Sequence, residues 1–545
     1  MFQALKHPFF LLFAILLTGC NTFSPNHNNI IRYNESKGIP TLDPAYARNY
    51  PAILAVVQLY NGLLQLDDSL NIKPCIAKKY VISENGTVYT FTLRNDVFFH
   101  DSPLFAQGKG RKVTASDFIY SFLRVMNKTT ASPGSWVFNG IDTTKANHGF
   151  EATNDTTLKI YLKVPNASFA GILTNSYCFV VPHEVVDYYK KDFGTHPVGT
   201  GAFKLKLWQD GEKLVLLKNP SYFETDKSGK HLPYLDGISI SFVADKQSEF
   251  MMFIKGNIDF IIGVNASFKD ELINMEGNIR KEYKNRFYML KCPYLNTEYL
   301  GFQLDNNLPA FKNSPLHNLY IRQAINMAID RKNMIQYLRN NLGYPAEYGF
   351  TPNGMPDFEK MKTQGYSHNP DSAMKLLAKA GFPQGAGLKP FKLFTSSDYL
   401  DLCEFIQHEL EKINITCNIE VTNGLAFRDM IANNKMEMFR ASWIADYPDP
   451  ENYLSLFYSK NFSPAGSNYT HFSDESYDLL YEKALKTVNL NERYLLYRQM
   501  DSLIIANAAI VPLFYDVAVK IAHKKIQGLS NNPLNLIQLK YASKQ

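Results

Sequence analysis

The chain of 545 residues carries 45% hydrophobic residues, 20% charged residues and a formal net charge of +6. This is apolar material for two or more globular domains, and the mild positive charge comes without a dense Lys/Arg stripe, which excludes a nucleic-acid-binding role. Aromatic residues are abundant, 33 Tyr and 38 Phe against 3 Trp. They suit a large internal binding surface, although a compositional bias toward Phe, Tyr, Asn and Lys would leave the same trace.

The N-terminus reads as an export signal. Lys6 and His7 precede an apolar run from Phe9 to Leu17, too short to span a bilayer and suited to a signal-peptide core. The run ends in Leu17-Thr18-Gly19-Cys20, which resembles a bacterial lipobox, so Cys20 is expected to be acylated and to become the mature N-terminus. An ordinary cleavable signal with an incidental cysteine is the alternative. Residues 21–29 are polar and unpatterned, as a tether should be.

From Ile31 the chain opens with a strand-like segment and a Leu42-Asp43-Pro44 turn, then a helix from about Ala52 to Tyr60. Ala77 to Leu93 alternates around Asn85-Gly86 as a β-hairpin. Thr114 or Ser116 caps a helix reaching about Met126. A Gly/Ser/Pro-bearing loop with Trp136 follows, and Thr156 to Val164 is a strand. Pro197 to Phe203 is a Gly-rich loop that feeds two strands, Phe203–Trp208 and Lys213–Lys218. No helix follows it, so it is not a phosphate cradle. A further strand spans Gly237–Phe242, before a helix ending near Gly256.

Beyond Pro293 the units lengthen. Tyr299 to Leu304 reads as a strand and Tyr320 to Leu338 as one helix. Asn369-Pro370-Asp371 starts another helix, stopped by Gly381. Phe391–Phe394, Leu400–Ile413 and Thr416–Val421 form a strand-helix-strand unit, which normally makes a right-handed parallel pair. A polar helix pair spans Asp474 to Ala506, and Ile510 to Phe514 is a buried strand. No internal repeat and no Pro/Ser-rich linker emerges, as in domains built from discontinuous segments.

Catalytic signatures are missing. Beyond Cys20 stand Cys75, Cys178, Cys292, Cys403 and Cys417, an odd set that leaves at least one thiol unpaired. There is no CxxC, no Cys/His cluster, no HExxH among the 12 His, no GxSxG and no GxxxxGK[ST]. No metal, cofactor or enzyme activity is therefore expected. The stretch from Glu437 to Phe457 draws attention instead, because Arg440, Trp443 and Asp446 fall within seven residues. Asp449, before Pro450 and Glu451, reads as a helix cap. Arg440 and Asp446 have no such structural assignment and sit at the exit of a strand-like segment, where α/β proteins place ligand-contacting groups.

In order along the chain, IPTLDPAYA (39–47), LYNGLLQLD (59–67), YTFTLRNDVFFHD (89–101), VTASDF (113–118), PVGTGAFKLKLW (197–208), LGFQLDNNLPAFKN (300–313), IRQAINMAIDR (321–331), PAEYGFTP (345–352), FRASWIADYPDP (439–450) and IVPLFYDV (510–517) resemble the oligopeptide-binding type of extracytoplasmic solute-binding protein of peptide ABC importers. The resemblance covers everything after residue 30. It implies an α/β, periplasmic-binding-protein-like fold: two α/β lobes with a hinge plus an inserted third domain. The implied divisions are a lipoprotein signal peptide at 1–20, domain I at 21–64, 193–287 and 506–545, an inserted domain II at 65–192, and domain III at 288–505, with hinge crossings near residues 288 and 505.

The implied ligand is a peptide held extended between the lobes, its backbone paired as an added strand. Asp446 matches the family acid that meets the peptide α-ammonium, and Arg440 a basic residue facing the C-terminal carboxylate of short peptides. Trp443 matches the tryptophan of that motif. Ser397 and Asp398 lie in a segment resembling a binding loop, Trp136 in a loop usually rich in Tyr, and Phe514 and Tyr515 on a strand bordering the cleft. Core packing is the alternative for Trp443 and Phe514. The chain departs from the pattern at Gly424-Leu425, where a second Trp is usual, at SPGSWVFNG (132–140), and at Leu308, where a basic residue is common. These departures fall on side-chain and C-terminus pockets. The implied partners are ABC permease and ATPase subunits, with the protein a monomer held by its lipid at the cell membrane and facing the periplasm or exterior. Another ligand on the same scaffold (peptidoglycan-derived peptide, haem or a metal chelate) or a non-transport surface protein such as a hydrolase or adhesin are the competing readings.

Overall fold

The computed structural model describes residues 29–545, so Cys20 and most of its tether lie outside the described residues. Among the described residues no helix is long and apolar enough to cross a membrane. The five described cysteines are free, and all but Cys292 are buried.

The first lobe is built on two four-stranded sheets. One is ordered Ile30–Asn34, Gly237–Ser241, Lys213–Lys218, Phe203–Gln209, with only the first pair parallel. The other is antiparallel and holds the Ala77–Ile82/Val88–Leu93 hairpin, followed by Thr157–Tyr161 and Phe150–Asn154. Gly86 takes φ of +69° at the hairpin tip, a conformation that costs a residue without Cβ little. The helix Ala115–Met126 starts at a capping box, in which the Asp117 carboxylate accepts the Thr114 amide at 2.8 Å and its hydroxyl at 3.0 Å. One apolar core joins residues from Ile31 to Phe260 with Ala522 to Ala542, bringing the first and last described segments into the same body.

The second lobe is built on a seven-stranded sheet that reaches back into the first-lobe core at Phe260 and Ala522. It is ordered Phe260–Ile262, Ile510–His523, Phe287–Phe302, Met438–Ile444, Phe391–Thr395, Cys417–Val421, with Tyr344–Pro345 paired to the side of Ile510–His523. The strand-helix-strand unit is a parallel pair, as its sequence pattern implies. Two strands are longer than the pattern suggests. The segment read as Tyr299–Leu304 is the end of a 16-residue strand, and the one read as Ile510–Phe514 continues to His523. They pair as Phe287–Pro293 with Val517–His523 and Thr297–Gly301 with Ile510–Tyr515, and the register breaks between Pro293 and Thr297. Pro293 has no N–H to donate, so the ladder is weakest there. Residue 288 lies inside the paired strand and residue 505 in the last turn of the helix Leu490–Ala506.

The segment read as one helix from Tyr320 to Leu338 is two, Leu319–Ala328 and Arg331–Arg339. Asp330 separates them, its carboxylate capping the second at the Asn333 amide (3.0 Å). The run after Asp449 is only one short turn, Glu451–Leu454.

Candidate ligand site between the lobes

The strand Met438–Ile444 lies against Asn296–Phe302, and the ladder extends one bond further through the Ala445 amide to the Leu295 carbonyl (2.9 Å). The chain then turns at Asp446. One side chain holds this turn: Asn452 Oδ1 accepts Trp443 Nε1 at 2.9 Å and the Asp446 amide at 3.1 Å, while its Nδ2 approaches Asp446 Oδ2 at 3.4 Å. Trp443 therefore serves as a brace for the turn, with its ring partly buried against the second lobe. No cation among the described residues lies within ion-pair distance of Asp446. Asp446 is exposed, while the protein massed around it pushes its pKa up to about 6 through desolvation.

The next residue crosses to the other lobe. Tyr447 is buried in the core of the first lobe, and its ring centroid lies 6.0 Å from that of Trp136. Its hydroxyl donates to Glu451, which also receives the Tyr481 hydroxyl. Asn175 Nδ2 approaches the Asp446 carbonyl at 3.4 Å from the first lobe. In the opposite direction, the turn after Asp67 places Leu70, at φ of +63°, in the apolar core of the second lobe. Each lobe thus buries a side chain of the other.

The remaining candidate residues divide. Asp398 and Phe514 border one cavity of about 220 Å³ with Lys269, Arg339 and Tyr399. Arg339 sits over the Phe514 ring at 4.7 Å and is paired with Asp516. Ser397 is exposed on the same turn as Asp398. Arg440 does not lie at the strand exit as a free cation. It is buried in mid-strand, paired with Glu298 and stacked 3.1 Å from the Tyr399 ring centroid. Tyr515 points to the opposite face from Phe514, as strand alternation requires. It packs with Ala346 and Phe358, and its hydroxyl donates to the Gly349 carbonyl at 2.9 Å. Neither Arg440 nor Tyr515 reaches Asp446. Asp449 proves to be more than a cap: besides the Glu451 amide (3.0 Å), it accepts the Tyr497 hydroxyl (2.7 Å) and pairs with Arg493 (3.3 Å). Asn452, Tyr447, Asn175 and Glu298 escape sequence reasoning, since no local pattern distinguishes a buried polar brace from a loop residue.

Comparison with known proteins decides the family. Residues 71–464 match the sequence profile of the bacterial extracellular solute-binding proteins, family 5 (middle region). The chain belongs to this family. As a family 5 solute-binding protein it is a binding protein and not an enzyme. It is 27% identical over 535 residues to the periplasmic oligopeptide-binding protein OppA of Salmonella typhimurium, covering 94% of this chain and 91% of the relative. It is 25% identical over 492 residues to heme-binding protein A of Haemophilus influenzae, covering 87% and 85%. The solved structure of the ABC transporter-associated periplasmic binding protein DppA from Helicobacter pylori, in complex with the peptide STSA, superposes with a TM-score of 0.77 at 26% identity, covering 94% of this chain and 98% of that one. These likenesses give the α/β two-lobed fold of the periplasmic-binding-protein type.

Proposed function

We propose that this family 5 solute-binding protein captures peptides between its two lobes and delivers them to an ABC permease and its ATPase. The observation that carries the reading is Asp446: a carboxylate braced by Asn452, without a cationic partner, at the place where the lobes meet. Such a group is suited to an α-ammonium, which would supply the missing charge and the hydrogen-bond donors. Backbone groups are common to all peptides, so the rest of the ligand can lie extended beside the strand Met438–Ile444, with the cavity at Asp398 and Phe514 taking a side chain or the distal end. Trp136 and Trp443 flank the amino end. The relatives include proteins named for oligopeptides and for haem. Haem carries no ammonium, so the free Asp446 carboxylate favours a peptide.

The hinge is assigned to the register break at Pro293–Thr297 and the facing Tyr515–Val517, the point at which two strands pass between the lobes. Ligand touching both lobes would hold them closed. The protein acts as a monomer, anchored outside the cytoplasm through acylated Cys20. Isothermal titration with free and N-acetylated peptides tests the central assignment. Removing one partner of a desolvated charge pair costs roughly 2–5 kcal/mol, or about 30- to several-thousand-fold in affinity, so Asp446→Ala and acetylation should each abolish most binding. Equal affinity of the wild type for both peptide forms would refute it.

A further inference from the structure

The four-stranded sheet that begins at Ile30 has one face in the core and one face turned outward. Cross-strand pairing arranges the residues of this second face in three rows: Ile30, Gly237, Leu217 and Lys204; Arg32, Ser239, Val215 and Leu207; Asn34, Ser241, Lys213 and Gln209. Of these, Gly237 and Asn34 are buried and the other ten partly or fully exposed. None of the twelve is acidic. Lys206 stands exposed in the bulge beside Leu207, which is itself 42% exposed. The nearest acids in sequence lie at the strand ends: Glu35 follows Asn34, Asp236 precedes Gly237, and Asp210 and Glu212 sit in the hairpin turn.

The C-terminal segments add to this charge. Lys525 and Lys544 wall an open depression of about 670 Å³ whose floor includes Arg32, Ser239 and Val215. Beneath it the fully buried Asp259 carboxylate is shared by Arg32 at 3.4 Å, Lys525 at 3.0 Å and Lys544 at 2.9 Å. Three cations on one carboxylate leave the site with a net positive charge.

We propose that this face docks on an anionic phospholipid surface, a conclusion that rests on the reading that Cys20 is acylated. Ile30 is both the first residue of the sheet and part of the depression. The chain from Cys20 to Ile30 spans at most about 35 Å when extended, so an acyl anchor holds this basic face within reach of the headgroups. Lys206, Lys213 and Lys525 meet lipid phosphates, while Leu207, Val215 and Ile30 enter the interfacial layer, the combination by which a surface rather than a span is bound. One lobe then rests on the membrane, with the other free to move against it.

The test uses the mature chain from Asn21 onward, which keeps every residue of the described fold but has no acyl group. It is expected to co-sediment with vesicles of phosphatidylcholine and phosphatidylglycerol, not with phosphatidylcholine alone, and to be released by salt. Lys206→Glu combined with Lys213→Glu should lower this binding at least about tenfold, while peptide affinity and the thermal transition stay unchanged. Absence of binding to the anionic vesicles at low salt overturns the proposal, as does equal binding by the double variant. Mass spectrometry of the native protein reads the acyl group on Cys20 separately, so a missing anchor and an inert face give different results.

Discussion

Arg440 and Glu298 stand on neighbouring antiparallel strands, and the guanidinium donates to the Glu298 carboxylate while its other face lies on the Tyr399 ring. Both side chains are almost fully buried. The pair is therefore a structural element of the second lobe, and Arg440→Met would strand the Glu298 charge in the core. A loss of about 3–5 kcal/mol is expected in urea unfolding, with the affinity for amidated and free-acid peptides changed equally. Unchanged stability with a selective loss for free-acid peptides would instead make Arg440 a ligand contact.

If Asp446 receives the peptide ammonium as proposed, peptide capture is expected to depend on pH. Its carboxyl titrates at up to about 6 because burial disfavours the charge; since water reaches it, the midpoint lies at or below that value. Above the midpoint the carboxylate is ionised and ready for an ammonium. As pH falls through it, the ligand must displace a proton, so affinity drops about tenfold for each further pH unit. Titration calorimetry from pH 7.5 downward should show this decline for free peptides in the wild type. A flat profile in that range would mean that the ammonium meets another group.

Asp449 offers a contrast within the same turn. A lone helix cap is worth about 1 kcal/mol, but this carboxylate also neutralises the buried Arg493 and holds Tyr497. Asp449→Ala should accordingly cost about 3–5 kcal/mol, the range for breaking a buried pair. Chemical denaturation measures it, and a loss of only about 1 kcal/mol would show that the cap is all that matters.

Asp501 ties the helix Leu490–Ala506 to the loop before the sheet: its buried carboxylate accepts the Phe350 amide at 2.8 Å and the Thr351 amide at 3.4 Å, with no cation among the described residues paired to it. Burial raises its pKa to about 7, against the pull of the two amides. Between about pH 4 and about pH 7 the folded protein keeps a proton there that the unfolded chain has released, so stability falls as pH rises through this window. Asp501→Asn should flatten that slope in a series of urea titrations. An identical slope in wild type and variant would place the titration elsewhere.

Much of this protein is legible in its sequence, because the signals act over a few residues. Asn85-Gly86 marks the hairpin, the spacing of Thr114 and Asp117 the capping box, and Asn369 and Gly381 the limits of a helix, since each is set by local backbone geometry. The ordered motifs from residue 39 to residue 517 likewise mark the family without reference to coordinates. Local signals fail where two of them compete: Asp330 caps a new helix inside a continuous apolar stripe, and Pro293 interrupts a strand whose length is set by its partner Ile510–His523. The site itself was decided by tertiary structure alone. Asp446 and Arg440 lie six positions apart in one motif, yet among the described residues one is exposed without a cationic partner and the other is neutralised by Glu298, 142 residues away. Tyr447 meets Trp136 across an even longer separation. Residue type and spacing show which side chains can carry charge or stack; only the approach of distant strands determines whether that charge is already satisfied or left for a ligand.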